Sequence, residues 1–383
     1  MIRLFAFASH LTALAVLAQF TLRLRRNLRF LSVARHLPLR ADTPPRISVL
    51  VPARNEAQTI ISCIESLTAQ DYPAFEVIAL DDQSSDGTGA QLDELAAQHP
   101  NLMVLHGNES PPAGWNGKSY ACFRLAAQAA GDWLLFTDAD TLHTPTSIAQ
   151  GIARAEGLQA DLLSVFPRQI TRSWSERIVV SFILDFLPLV GLDLWEVWRG
   201  TSSRTAANGQ YLLIRANAYR AAGGHEAVSD ALVDDFALAK HIRSHGYRAA
   251  LVDGTAMVSC RMYRSAREVW DGFSKNILLA LQTSTAEKRP RWWGLAFAWG
   301  YASLFIQPIV FLFSPYRIPA AFVIGWLAVL RGAVSQRFGR PLIEVTATPL
   351  AAWSVMAFGL NALLCRIRGR NIAWKGRDYS LSS

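Results

Sequence analysis

The chain opens on a nearly uncharged apolar run, residues 4–22, and its pattern changes after residue 46. From there, short apolar runs alternate with stretches of helical spacing. Residues 47–51, 75–80, 102–105 and 133–136 are apolar runs of strand length bounded by polar residues. Such runs predict strands buried on both faces. Between them, Ile60, Ile61, Ile64 and Leu67 recur at helical spacing, residues 88–98 read as a helix, and another helix is predicted after Lys118. Strand and helix alternating at this spacing predict an α/β domain with a parallel, doubly wound sheet.

Two of the runs end in acids. Residues 75–80 lead into Asp81 and Asp82, and residues 133–136 lead into Thr137-Asp138-Ala139-Asp140-Thr141. Acids at strand ends mark the carboxyl edge of a sheet, where open α/β sheets bind ligands. In extended geometry Asp138 and Asp140 fall on one side of the chain. Two hard oxygen donors there suit Mg²⁺ or Mn²⁺ carrying a diphosphate. Lys118 follows Gly117 at the start of a predicted helix, where ammonium and backbone amides can both meet phosphate. It is one of only five lysines, which gives an isolated one weight. The chemistry suggested is transfer from a nucleotide-linked donor.

Three more apolar segments lie near the C-terminus, at residues 295–313, 318–330 and 347–365. The first and third are long enough to span a bilayer. The second has 13 residues before Arg331 and reads as interfacial or re-entrant. Arg23, Arg25, Arg26, Arg29, Arg35, Arg40 and Arg46 follow the N-terminal run, so this flank is expected in the cytoplasm. A cleaved signal peptide carries its charge before the apolar run, so an anchor fits better. The net charge of +8 sits mostly on arginines beside apolar segments, which suits anionic headgroups and argues against nucleic acid as a partner. Cys63, Cys122, Cys260 and Cys365 show no ligand spacing and predict neither disulfides nor zinc. The expected organisation is an anchor at 1–22, a basic juxtamembrane segment at 23–46, an α/β domain at 47–285, and membrane helices with a basic tail at 286–383.

Six motifs occur in order: VPARNE (51–56), DDQSSDGT (81–88), GWNGK (114–118), TDADT (137–141), NGQYLLIRANAYRAAGG (208–224) and VDDFALAKHIRSHGY (233–247). Over residues 46–276 the chain resembles a family 2 glycosyltransferase. The resemblance implies a GT-A, Rossmann-like mixed sheet of the nucleotide-diphospho-sugar transferase type, here with an N-terminal transmembrane helix and C-terminal transmembrane or interfacial helices. Together with RMY (261–263), GFSKN (272–276) and WKGRDY (374–379), the motifs resemble the membrane members that glycosylate terpenoid lipids. The nearest are the chlorobactene and diaponeurosporenoate (carotenoid) glycosyltransferases. Hopanoid-associated and ceramide glucosyltransferases are more distant.

The resemblance implies roles residue by residue. Asp81 and Asp82 would hold base and ribose, with Pro52, Arg54 and Glu56 facing the same nucleoside. Asp138 and Asp140 would hold the metal, Lys118 and Asp138 the diphosphate of a UDP-sugar, and Arg261 that diphosphate or the acceptor. Of the pair Asp234 and Asp235, the second would be the general base toward the acceptor hydroxyl. Asn208, Gly209, Gln210 and Trp270 would face the acceptor, with Lys275 and Asn276 at the same mouth. The plainer alternatives are a turn at Ser84-Ser85-Asp86 and an N-cap at Asp234-Asp235. Ser265 stands where processive and ceramide-type relatives have Trp, which counts against those acceptors. Residues 174–198 are unusually apolar and are expected to form a helix on the bilayer, led by Trp195 and Trp198, or else a core helix. The implied activity is inverting transfer from a UDP-sugar to a carotenoid or other lipid acceptor at the cytoplasmic face of the cell (inner) membrane. Hopanoid or polyprenyl-phosphate acceptors are the alternatives, and an inactive membrane scaffold is the non-enzyme one.

Overall fold

The protein is described from a computed structural model covering residues 2–35, 44–202, 205–231, 233–286, 292–368, 372–374 and 377–379. Arg40, Arg370 and Lys375 lie outside these residues. The chain forms two compact units, each built from separated stretches.

The unit of residues 28–170 and 194–262 holds ten strands. They are β1 Ile47–Ala53, β2 Phe75–Asp81, β3 Leu102–His106, β4 Trp133–Phe136, β5 Thr141–His143, β6 Leu162–Phe166, β7 Arg168–Gln169, β8 Leu212–Arg215, β9 Ala249–Asp253 and β10 Val258–Cys260. Seven form one sheet in the order β3-β2-β1-β4-β8-β6-β9. The expected parallel pairing holds for β3-β2-β1-β4, but β8 runs antiparallel to both β4 and β6. The sheet is therefore mixed, as the resemblance implied, with a parallel part where the residue pattern predicted one. The apolar runs of β1 and β4 are buried almost throughout because helices cover both faces. Edge strand β3 leaves Met103 47% exposed.

Register sets the site. Ala53 pairs with Asp81, and Leu50 pairs with Phe136. The ends of β1, β2 and β4 thus meet side by side. Strand order reverses between β1 and β4, the position where such sheets open a crevice. A smaller sheet, β5-β10-β7, pairs Cys260 with Thr141 and Gln169.

The second unit, residues 1–27, 171–193 and 263–383, is helical in its described residues apart from two short C-terminal strands. Three of its helices, or helices that begin in it, are long and apolar enough to cross a membrane: Arg3–Ala34, Arg317–Arg337 and Thr348–Cys365. Ile318 and Val329 are 78% and 68% exposed, as lipid-facing side chains would be. Two expectations are corrected here. Residues 295–313 do not form one continuous helix, because the helix Trp292–Phe305 ends before Pro308 and a short helix Gln307–Phe311 follows. Residues 318–330 instead belong to a 21-residue helix that continues through Arg331. Arg331 is tolerated because it is 1% exposed, bonds the Ser181 carbonyl and hydroxyl, and lies over the rings of Phe182 and Phe186.

Residues 174–198 are also not one helix. Trp174–Val180, a π-helical turn Ser181–Phe186 and Leu187–Gly191 form one succession, and Leu194–Arg199 starts afresh. The break falls where Leu192 turns extended (ψ 151°), and Asn27 caps it by donating to the carbonyls of Leu189 and Leu192. The Trp198 ring N–H donates to the Leu158 carbonyl at 2.9 Å, so this ring is tied into the sheet-bearing unit.

Candidate active site

The loops after β1 and β2 are laced together. Asn55 N–H donates to the Ser84 hydroxyl, Glu56 N–H to the Thr88 hydroxyl, and Ala57 N–H to the Asp86 carboxylate, at 2.9, 2.9 and 3.0 Å. Ser85 N–H returns a bond to the Asn55 side chain at 2.9 Å. Asn55 and Gln83 take positive φ, 53° and 59°. Such backbone is costly for residues other than glycine and persists where surrounding bonds enforce it. Asp86 also accepts from Thr88. Burial opposes its charge, but these bonds hold its carboxyl below the usual range. The turn at Ser84-Ser85-Asp86 is therefore framework, and it presents the acids beside it.

Asp81 and Asp82 are both buried at this edge. Ser84 N–H donates to Asp81 at 3.2 Å, and His106 stands 3.8 Å away. A Cβ on Gly89 would fall 2.7 Å from the Asp81 carboxylate, so the following helix can approach only with glycine there. Arg54 donates to the Asp82 carbonyl at 2.5 Å and lies 4.0 Å from its carboxylate. Thr59 donates to the Glu56 carboxylate at 3.1 Å.

Asp138 and Asp140 follow β4 in a turn, closed by Thr141 N–H and hydroxyl on the Asp138 carbonyl at 3.3 and 2.7 Å. The extended geometry expected for this motif is not adopted. Asp138 gives one oxygen to the Lys118 ammonium at 2.6 Å and keeps 29% of its side chain exposed. Burial first, then the charges of Asp140 and Asp138, push the Cys260 thiol well up. Arg261 follows Cys260, the register partner of Thr141.

Lys118 is placed by its own helix, Gly117–Gln128. Asn116 caps that helix by accepting from Lys118 N–H at 3.1 Å. Asn116 also donates to the carbonyls of Ser229 and Ala231 at 2.6 and 3.0 Å, tying the loop to the segment before Asp234. The Lys118 ammonium lies 3.9 Å from Asp234. Burial opposes its charge, but Asp138, then Asp234, hold it well above the ordinary lysine range.

The helix Asp234–Ser244 begins with both acids. Asp235 accepts from Gly209 N–H at 2.6 Å and from its neighbour Phe236 N–H at 2.7 Å, so both oxygens are fixed. A Cβ on Gly209 would stand 3.3 Å from both the Asp235 carboxylate and the Lys118 ammonium. Burial, then the Asp234 charge, push the Asp235 carboxyl up to about 6, against the pull of Lys118 and the two amides. A carboxyl in that range suits proton transfer near neutral pH.

Pro52, Lys118, Asp138, Gly209, Asp234 and Asp235 line one cleft. Other expected residues stand differently. Gln210 is 1% exposed, accepts from Gln169 at 2.8 Å and donates to the Cys260 sulfur at 2.7 Å, so it holds the loop rather than facing the acceptor. Asn208 uses its backbone on the Ser164 hydroxyl and its side-chain oxygen on Gln210 N–H. Trp270 belongs to the helical unit, where it packs edge-on against Phe358 at 5.3 Å. Cys122 and His225 also line the cleft, and the sequence pattern did not single out either for the site.

A profile described as "Glycosyl transferase family 2" matches residues 48–218. Among curated proteins, the 4,4'-diaponeurosporenoate glycosyltransferase of Staphylococcus aureus (strain MRSA252) is 25% identical over 346 residues, covering 88% of each chain. That of strain USA300 is 25% identical over 354 residues, with the same coverage. Among solved structures, a mannosyltransferase (PcManGT) from Pyrobaculum calidifontis, in complex with GDP-Man and Mn²⁺, superposes with a TM-score of 0.58 at 19% identity. It covers 94% of this chain and 99% of its own, and the likeness is one of GT-A fold.

Proposed function

We propose that this glycosyltransferase, whose residues 48–218 belong to glycosyl transferase family 2, moves glucose from UDP-glucose to a hydrophobic terpenoid acceptor of the carotenoid class. Transfer proceeds with inversion at the cytoplasmic face of the cell membrane. The observation that carries the reading is one cleft in which Lys118 touches Asp138 at 2.6 Å and Asp235 is fixed by two amides.

Asp81, Asp82 and Arg54 hold the nucleoside at the ends of β1 and β2. The donor set at the β4 end, two carboxylates with Asp138 partly exposed, fits a divalent cation of the Mg²⁺ or Mn²⁺ kind. When bound, such an ion supplies positive charge to the leaving diphosphate. Asp138 and Asp140 would hold it, and Lys118 adds a point charge to the same diphosphate. Asp235 takes the proton of the acceptor hydroxyl as that oxygen attacks the anomeric carbon, and the nucleoside diphosphate leaves. The amides of Gly209 and Phe236 keep the carboxylate aimed. Asp234 keeps that carboxyl basic by its own charge.

Support for a lipid acceptor comes from two sides. The 25%-identical relatives carry a carotenoid-acid acceptor in their name. Three helices among the described residues could cross a bilayer. The test is transfer of labelled glucose from UDP-glucose into organic-extractable product by the full chain in detergent. Carotenoids, hopanoids and polyprenyl phosphates are offered in parallel, with Asp235→Asn as control. Label confined to hydroxylated or carboxylated carotenoids, and lost in the variant, bears the reading out. Label in another lipid class refutes the acceptor, and no label despite UDP binding refutes the donor or acceptor.

A further inference from the structure

Three side chains with metal-ligating atoms meet on the inner wall of the cleft. Cys122 comes from the helix Gly117–Gln128, His225 follows Gly224, and Asp234 opens its own helix. One donor atom of each lies within 4.8 Å of the others. Their exposures are 2%, 1% and 9%. The His225 ring is held from behind, with Nδ1 lying 2.8 Å from the Tyr219 hydroxyl, whose oxygen also accepts His225 N–H at 3.1 Å. This leaves Nε2 for the cluster. It also supplies the outer hydrogen bond that orients metal-bound histidines.

We infer that Cys122, His225 and Asp234 form a site for a single borderline-soft divalent cation of the Zn²⁺ class. It is separate from the hard-oxygen pair Asp138 and Asp140. A sulfur, nitrogen and oxygen set selects Zn²⁺, while carboxylates alone select Mg²⁺ or Mn²⁺. Three protein ligands leave the fourth tetrahedral position to solvent in the cleft. Bond lengths of about 2.0–2.3 Å require the three donors to draw together. The Asp234 link to Lys118, at 3.9 Å, is longer than the 2.6 Å contact of Lys118 with Asp138. On binding, Cys122 releases its proton to solvent.

The test titrates the full chain in detergent with Co²⁺, under excess Mg²⁺ to fill the hard-oxygen positions. The expected result is a thiolate-to-cobalt absorption band that saturates at about one equivalent and is displaced by Zn²⁺. The band should vanish in Cys122→Ser and in His225→Gln, and persist in Cys63→Ser and Cys260→Ser. Circular dichroism establishes that each variant is folded, and either ligand variant alone suffices for the comparison. A wild-type chain without the band, or a band that survives Cys122→Ser, overturns the site. The absorbance readout needs neither donor nor acceptor, so it stands or falls apart from the UDP-glucose and carotenoid reading.

Discussion

The Lys118 ammonium lies 2.6 Å from the Asp138 carboxylate, joining the start of a helix to the end of β4. Without a donor in the cleft, this contact partly neutralises a cluster rich in acids. On the proposed function, the same ammonium becomes the counter-charge of a donor diphosphate. Lys118→Met should therefore lower kcat/KM for UDP-glucose by about 10²–10³-fold, the scale for losing one charge-stabilising donor. Lys118→Arg should not restore it, because a planar fork does not replace a compact ammonium. Steady-state kinetics against UDP-glucose check both, and a Lys118→Met enzyme with wild-type kcat/KM would remove Lys118 from the site.

Asp235 accepts from two amides, one on each oxygen, and an Asn side chain keeps an acceptor for one of them. Asp235→Asn keeps the size of the side chain while abolishing its basicity. Its kcat should fall by about 10²–10⁴-fold, the usual worth of a positioned base. UDP binding, measured by calorimetry, should stay within about threefold of wild type, since that binding is assigned to other residues. Loss of UDP affinity equal to the loss of kcat would mean that Asp235 binds donor instead.

The same carboxyl predicts the pH profile. Its value is raised to about 6, by burial and then by Asp234, while Lys118, Gly209 N–H and Phe236 N–H oppose the rise. A base works only when deprotonated, so activity should climb as pH passes upward through about 6 and level off above it. Asp234→Asn removes the neighbouring charge, so the rising limb should move to lower pH. A limb that stays in place in that variant would assign it to another group.

Much of this arrangement was legible in the residues. The acids at the ends of residues 75–80 and 133–136 lie at strand ends, as their apolar runs implied, because a short buried run can end only at the sheet edge. The resemblance implied a mixed sheet, but the residue pattern alone did not say which strand would run antiparallel. β8 follows a long excursion through residues 167–211, and nothing in a four-residue apolar run fixes which way it enters the sheet. The pairing of Gly209 N–H with Asp235 was hidden for the same reason, since the two meet only in three dimensions. So were Cys122 and His225, whose donors converge with that of Asp234 from three segments with no shared spacing. Helix length was misjudged where Arg331 was read as a stop. Its charge is met by Ser181 and two phenyl rings, and sequence spacing carries no trace of that partner.

In the helical unit, Arg340 Nε donates to Asp185 at 2.8 Å, with side-chain exposures of 8% and 3%. Arg340 also reaches the Thr171 hydroxyl at 3.3 Å. Desolvation offsets much of the attraction in such a pair, so its net worth is small while both partners are present. Removing one partner strands the other charge. Arg340→Met should therefore destabilise the protein by about 3–5 kcal/mol, whereas Arg340→Met with Asp185→Leu should recover most of that loss. Thermal inactivation in detergent, with glucose transfer as the readout, ranks the three chains. If the double variant is no more stable than Arg340→Met, the cost lies in lost packing around Thr171 and the π-helical turn rather than in a stranded carboxylate.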